Sequence, residues 1–317
     1  MFPNKSFYPD TPLFVLFCAL LVWLPIPLGS ERPWAQGIME VWVALLSVGW
    51  LLLYVNERVR ISPVIYKCRY FIALLFVWIL YVASQLVLGS WMPDKFFDER
   101  VFFIADVHLT STKFLLSLAY CLLFFLTIVI CNTRQRIKML MIVIVFSGLF
   151  QAVYGSLMTL SGLEYHFFMK KWSYKGVATG TFFNRNHYAA YLVMCLAAGI
   201  GLMFSQLATS EAFNFRGRLR KVFQLLLSPK MRLRIYLVIM VIALVLTHSR
   251  MGNTAFFSSL LICGIGALLL SRHATRSMVI FLVSIILIDI FIVGAWFGID
   301  KVAERLENTS IATEVRV

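Results

Sequence analysis

Residues 235–270 read IYLVIMVIALVLTHSRMGNTAFFSSLLICGIGALLL, 36 residues of apolar character broken only by Thr247-His248-Ser249-Arg250. At about 1.5 Å per residue this run is too long for one upright helix across about 30 Å of hydrocarbon and a tight fit for two. It predicts a hairpin of two membrane helices whose apex, His248 to Arg250, lies at or just inside one membrane face. An arginine between two such runs is expensive in lipid, so it either faces a polar cavity or snorkels to the interface. A fixed guanidinium in a cavity suits bidentate phosphate recognition.

The remainder of the chain has the same character. Of 317 residues, 61% are hydrophobic and 14% charged, and the mean hydropathy is +0.84. A soluble globular chain is nearer half apolar and a quarter charged, so the surplus has no water-facing surface to occupy. That excludes a secreted disulfide scaffold, a nucleic-acid-binding domain and a disordered tail. The fold class expected is all-α, a polytopic transmembrane bundle of about nine spans, near 12–29, 37–55, 70–88, 114–131, 139–160, 187–206, 233–248, 251–271 and 278–299. With no internal repeat, it reads as one membrane domain over 1–317.

The net charge of +14 resolves by side. With the N-terminus cytoplasmic, seventeen of the 29 Lys and Arg fall on inner segments with only Asp10, Glu57 and Glu211 against them. This is a positive-inside pattern, which places the N-terminus in the cytoplasm and residues 300–317 outside. The basic segment 207–234 then anchors beside anionic lipid. Outside, 89–113 is acidic, whereas 161–186 is basic and aromatic: Lys170, Lys171, Lys175 and Arg185 sit where the rule disfavours them, which invites a functional explanation. The six cysteines form no C-x-x-C pair and read as small apolar residues.

No G-x-x-x-x-G-K-[ST], H-E-x-x-H, G-x-S-x-G or G-x-G-x-x-G occurs, which argues against nucleotide hydrolysis and the common soluble hydrolases. Two clusters on the outer side stand out instead. One is Gly180-Thr181-Phe182-Phe183-Asn184-Arg185-Asn186-His187-Tyr188-Ala189-Ala190-Tyr191, leading from a loop into the sixth span. Asn184 or Asn186 can cap that helix, whose N-terminus with Arg185 and His187 would attract an anion; the bland alternative is an interfacial Tyr, His and Arg belt. The other is Thr247-His248-Ser249-Arg250. Sharing one membrane face, the two would make a cationic pocket for a lipid-linked phosphate or pyrophosphate.

The pattern G-T-F-F-N-R-N-H-Y-A-A-Y-L, followed about sixty residues later by T-H-S-R at a span end, resembles the O-antigen ligase and O-antigen polymerase superfamily of bacterial envelopes. Gly180, Phe183, Asn184, Asn186, Ser249 and Arg250 match that family's motifs, which lie within about 180–260; Leu24 to Trp34 is similar to its first outer loop. The resemblance implies a GT-C-like glycosyltransferase of the bacterial inner membrane, with its active face periplasmic. Such an enzyme passes a glycan from a polyprenyl pyrophosphate donor to a lipid A core, a growing polysaccharide or another glycan acceptor, without metal or other cofactor. Arg250 and Arg185 would stabilise the departing pyrophosphate, where other enzymes use Mg²⁺. Asn184, Asn186, His187 and Ser249 would bind substrate, with Lys170, Lys171, Lys175 and Arg32 as further attractors.

The family also has a large periplasmic loop carrying a histidine that activates the acceptor, followed by further spans. Here Ile299 to Val317 reads as the charged start of that loop, so the chain is expected to be either a fragment or a degenerate or partner-dependent relative. His166, His187 and His248 are alternative bases. A metal-dependent subtype would draw on Asp94, Asp98, Glu99 or Asp106. Two other classes stay open: a transporter or flippase of an anionic lipid-linked substrate, for which Glu40 and Asp289 are the only acids within spans, and a non-catalytic membrane subunit of a polysaccharide assembly.

Overall fold

A computed structural model describes residues 9–91, 107–167, 169–207 and 229–270. The expected ninth span, the carboxylates Asp94, Asp98, Glu99 and Asp106, most of the basic segment 207–234 and the segment 300–317 lie outside the described residues. The chain is mostly helical. In chain order the helices are α1 (Thr11–Trp23), α2 (Pro33–Val55), α3 (Val64–Lys67), α4 (Arg69–Trp91), α5 (Val107–Ile130), α6 (Arg134–Leu160), α7 (Arg185–Leu207), α8 (Pro229–Leu246) and α9 (Arg250–Leu270). Between α6 and α7 lies a minimal hairpin of β1 (Tyr165–His166) and β2 (Met169–Lys170), antiparallel, with Tyr165 opposite Lys170 and His166 opposite Met169.

Five described helices are long and apolar enough to cross a membrane: Pro33–Val55, Arg69–Val87, His108–Ile130, Arg134–Leu160 and Arg185–Ser205. Their outward faces are apolar as well. Leu74, Phe76, Val77 and Leu80 on α4 are all more than half exposed, a surface that water would not tolerate over such a length and that lipid solvates. The protein is therefore membrane-embedded.

The first helix departs from the expected span 12–29. It stops at Trp23 after 13 residues, about 20 Å of rise, because Pro25 and Pro27 deprive the following turn of N–H donors. The chain instead folds back through the 3₁₀ turn Leu28–Ser30, where Gly29 has φ +70°, and Ser30 Oγ donates to Leu24 O at 2.6 Å.

Packing groups the chain into two compact units, Met1–Val143 and Ile144–Val317, the boundary falling within the continuous helix α6. In the first unit α5 packs on α2 and α4, and α1 on α2. Met39, Val43, Leu46 and Trp50 form the buried stripe of α2 at helical spacing, with Trp50 edge-on to Phe125 at 5.7 Å. Asp10 and Arg136 are buried together, the guanidinium donating to both carboxylate oxygens at 2.6 Å and also to Ile130 O at 2.8 Å. This pair explains why Asp10, at the cap position of α1, leaves its own helix uncapped by its side chain.

The second unit is built on α7, which packs on α8 and α9. Tyr188, Leu192, Cys195, Leu196 and Met203 of α7 are buried, as are Leu237, Met240 and Leu244 of α8. Small residues set the spacing: a Cβ on Gly148 would stand 2.5 Å from Cys195 Cβ, and one on Gly199 would stand 2.5 Å from Leu237 Cδ2. The hairpin expected at 235–270 is present, α8 ending at Leu246 and α9 starting at Arg250.

Candidate functional site

The two sequence clusters meet at the N-termini of α7 and α9. Asn184 caps α7: its Oδ1 accepts the Asn186 N–H at 2.8 Å and its carbonyl accepts the Tyr188 N–H at 3.1 Å. Ser249 caps α9 in the same manner, Oγ accepting from the Gly252 N–H at 3.2 Å and the carbonyl from Asn253 N–H at 3.0 Å. The Ser249 hydroxyl then donates across to Asn186 Oδ1 at 2.9 Å. Close approach is possible because residue 252 lacks a side chain; a Cβ there would be 2.6 Å from Ala189 Cβ.

The reversal before α9 is tight. His248 takes φ +52°, Thr247 Oγ1 donates to Leu244 O at 2.6 Å, and Thr247 Oγ1 in turn accepts the Ser249 N–H at 3.0 Å. Arg185 and Arg250 are the first residues of two neighbouring helices, where the helix dipoles add partial positive charge beside the guanidinium groups.

Behind them, the loop 177–184 is bolted to α6. Gln151, fully buried, accepts the Thr181 N–H at 3.0 Å through Oε1 and donates to Thr181 Oγ1 at 2.8 Å through Nε2. Tyr188 OH donates to Gln151 O at 2.8 Å, and the Ala178 N–H reaches Leu246 O at 2.8 Å. Gly155 and Gly180 face each other with no room for more: a Cβ on Gly155 would stand 2.7 Å from Tyr188 OH and 2.9 Å from Gly180 N. At φ +54° Gly180 also occupies the left-handed region that favours glycine.

The expected site residues are only partly brought together. Asn184, Arg185, Asn186, His187, Ser249 and Arg250 share this meeting point, with Arg250 exposed and Arg185 half-buried, its guanidinium 5.6 Å from the Tyr174 ring centre. Lys170 and Lys175 are exposed on the preceding loop. Lys171 differs from expectation. Its side chain is 1% exposed, paired with Glu164 at 2.9 Å and donating to Val177 O at 3.0 Å, while Glu164 Oε1 accepts the Gly176 N–H at 2.7 Å. Its charge is compensated inside the loop, which Lys171 staples through Glu164 and Val177. Arg32 belongs to the first unit, at the start of α2.

Of the three histidines weighed as bases, His166 is 2% exposed, and burial together with the nearby Lys171 charge lowers its pKa below the ordinary imidazole value. His187 is exposed on the first turn of α7 and His248 occupies the strained reversal. Among the described residues no three His, Cys, Asp or Glu side chains are placed to hold a metal ion. Three buried polar atoms flanking the two helix starts have no hydrogen-bond partner: Thr179 Oγ1, Arg185 Nε and Asn253 Oδ1.

Gln151 and Gly155 support the site from outside the two motifs, and Thr181, within the first, takes a supporting role that its position in the cluster did not reveal. A glutamine amid the apolar run Met139–Leu160 was the available signal, since an amide buried in a span needs partners.

No family model matches the chain, and neither a curated protein nor a solved structure shows significant similarity to it.

Proposed function

We propose that this protein is a membrane-embedded glycosyltransferase of the O-antigen ligase and polymerase type. It would transfer a glycan from a polyprenyl pyrophosphate carrier to a lipid A core or polysaccharide acceptor at the periplasmic face of a bacterial inner membrane. The observation that carries the reading is the Ser249–Asn186 hydrogen bond, which joins the two motifs, with Arg185 and Arg250 the first residues of the two helices it links. Breaking an anomeric C–O bond leaves negative charge on a diphosphate, and cations held before the reaction stabilise that charge as it forms. Partnerless Arg185 Nε, Thr179 Oγ1 and Asn253 Oδ1 fit a site that completes its hydrogen bonding with a polar ligand.

In this reading Asn184, Asn186 and Ser249 hold the frame, His187 lies at its rim, and Lys170 and Lys175 raise the local concentration of an anionic donor. The positive-inside pattern supports a cytoplasmic N-terminus and a periplasmic site. The test is glycan transfer by the full-length protein in membranes. Arg250→Ala and Arg185→Ala should each cut transfer by about a hundredfold or more at unchanged protein level. Transfer at the wild-type rate in both variants refutes the assignment.

A further inference from the structure

The first unit carries a groove outside the site described above. Between α1 and α2 lies an open cavity of about 720 Å³ lined by Leu13, Leu16, Trp34, Gly37, Val41 and Leu45 with other apolar residues and no polar one. Along α2 it runs from Trp34 to Leu45, about 16 Å of helix rise, which matches the depth of one leaflet's hydrocarbon, about 15 Å. Gly37 opens its floor: a Cβ there would meet nothing within 4 Å. At the Trp34 end stands Arg32, exposed, with no ion pair among the described residues and with no side-chain bond to its own helix. A tryptophan and an arginine at one end of an apolar trench reproduce the order of a phospholipid, head group and then tail.

We propose that this groove holds a membrane phospholipid, its phosphate at Arg32 and one acyl chain lying along α2 from Trp34 to Leu45. The apolar lining recognises the chain and the unpaired guanidinium recognises the phosphate, so Arg32 acts as a lipid-binding residue independently of the glycan-transfer reading.

The experiment uses the full chain in bilayer discs of phosphatidylethanolamine and phosphatidylglycerol, extracted into mild detergent and washed, with retained phospholipid measured by mass spectrometry. Wild type and Gly37→Ala, whose methyl has room, should retain phospholipid equally. Gly37→Leu, which fills the trench from a position free of internal contacts, should lower retention about tenfold, and Arg32→Gln should lower it less. Equal retention in Gly37→Leu and wild type overturns the proposal, as does a change in oligomeric state without a change in bound lipid, which would make the occupant a second copy. A misfolded variant would also lose lipid, so a second measurement keeps the native groove. Phospholipid with brominated chains should quench wild-type fluorescence more strongly than that of Trp34→Phe, and equal quenching also counts against the site.

Discussion

Asn186 has three jobs in a few ångströms: its N–H donates to Asn184, its Oδ1 accepts a hydrogen bond from the Ser249 hydroxyl, and its backbone belongs to the first turn of α7. Asn186→Ala and Ser249→Ala should each lower thermal stability in detergent. Combined, they should fall short of additivity by about 0.5–3 kcal/mol, because both remove the same bond; strict additivity would mean the bond contributes nothing. His166 gives a pH test. The fold holds it neutral and lowers its pKa, whereas the unfolded chain protonates it near the ordinary 6.5. Stability attributable to it is complete above that value and declines as pH falls below it through the lowered folded pKa. Unfolding midpoints between pH 7.5 and 5 should drop more for wild type than for His166→Gln. At this scale the motif residues Asn184, Asn186, Ser249 and Arg250 were legible, since capping residues and a costly arginine announce themselves. Lys171 was not: whether a lysine is free or paired depends on Glu164, whose φ of +54° and position across the hairpin no local pattern reveals.

At the level of elements, contact between helices depends on glycines. Gly155→Ala would press on Tyr188 OH and on the Gly180 backbone, and backbone cannot swing aside as a side-chain tip can. The expected cost is about 1–3 kcal/mol, seen as a lowered unfolding midpoint, and the proposed glycan transfer should fall with it through displacement of the Asn184–Arg185 segment. Gly37→Ala, the same exchange in open space, should leave the midpoint unchanged or raise it slightly, which makes it an internal control. The α8–α9 hairpin could be read directly because length and a four-residue polar break leave two helices as the sole economical solution. The early stop of α1 could not, because hydropathy continues through Leu24–Leu28 while the prolines end the helix for a different reason, the loss of backbone donors.

For the whole molecule, embedding in a membrane follows from composition, since 61% hydrophobic residues cannot be hidden inside a chain of this size. Division into two units does not follow, because every helix is apolar and composition carries no mark of which helix packs on which. The buried Asp10–Arg136 pair ties the start of α1 to the start of α6 within the first unit. Asp10→Asn should destabilise it by about 3–5 kcal/mol by stranding a buried guanidinium, read as increased proteolysis of residues 1–143 in detergent; an unchanged cleavage pattern would assign the tie no stabilising role. That same pair has a meaning for biogenesis. Its members are 126 positions apart, so α1 emerges from the ribosome long before its counter-ion exists. At ordinary elongation speeds the gap is roughly 6 to 25 s. For that interval a short helix of 13 residues waits without its anchor, and the first unit is locked only when the opening turn of α6 is synthesised.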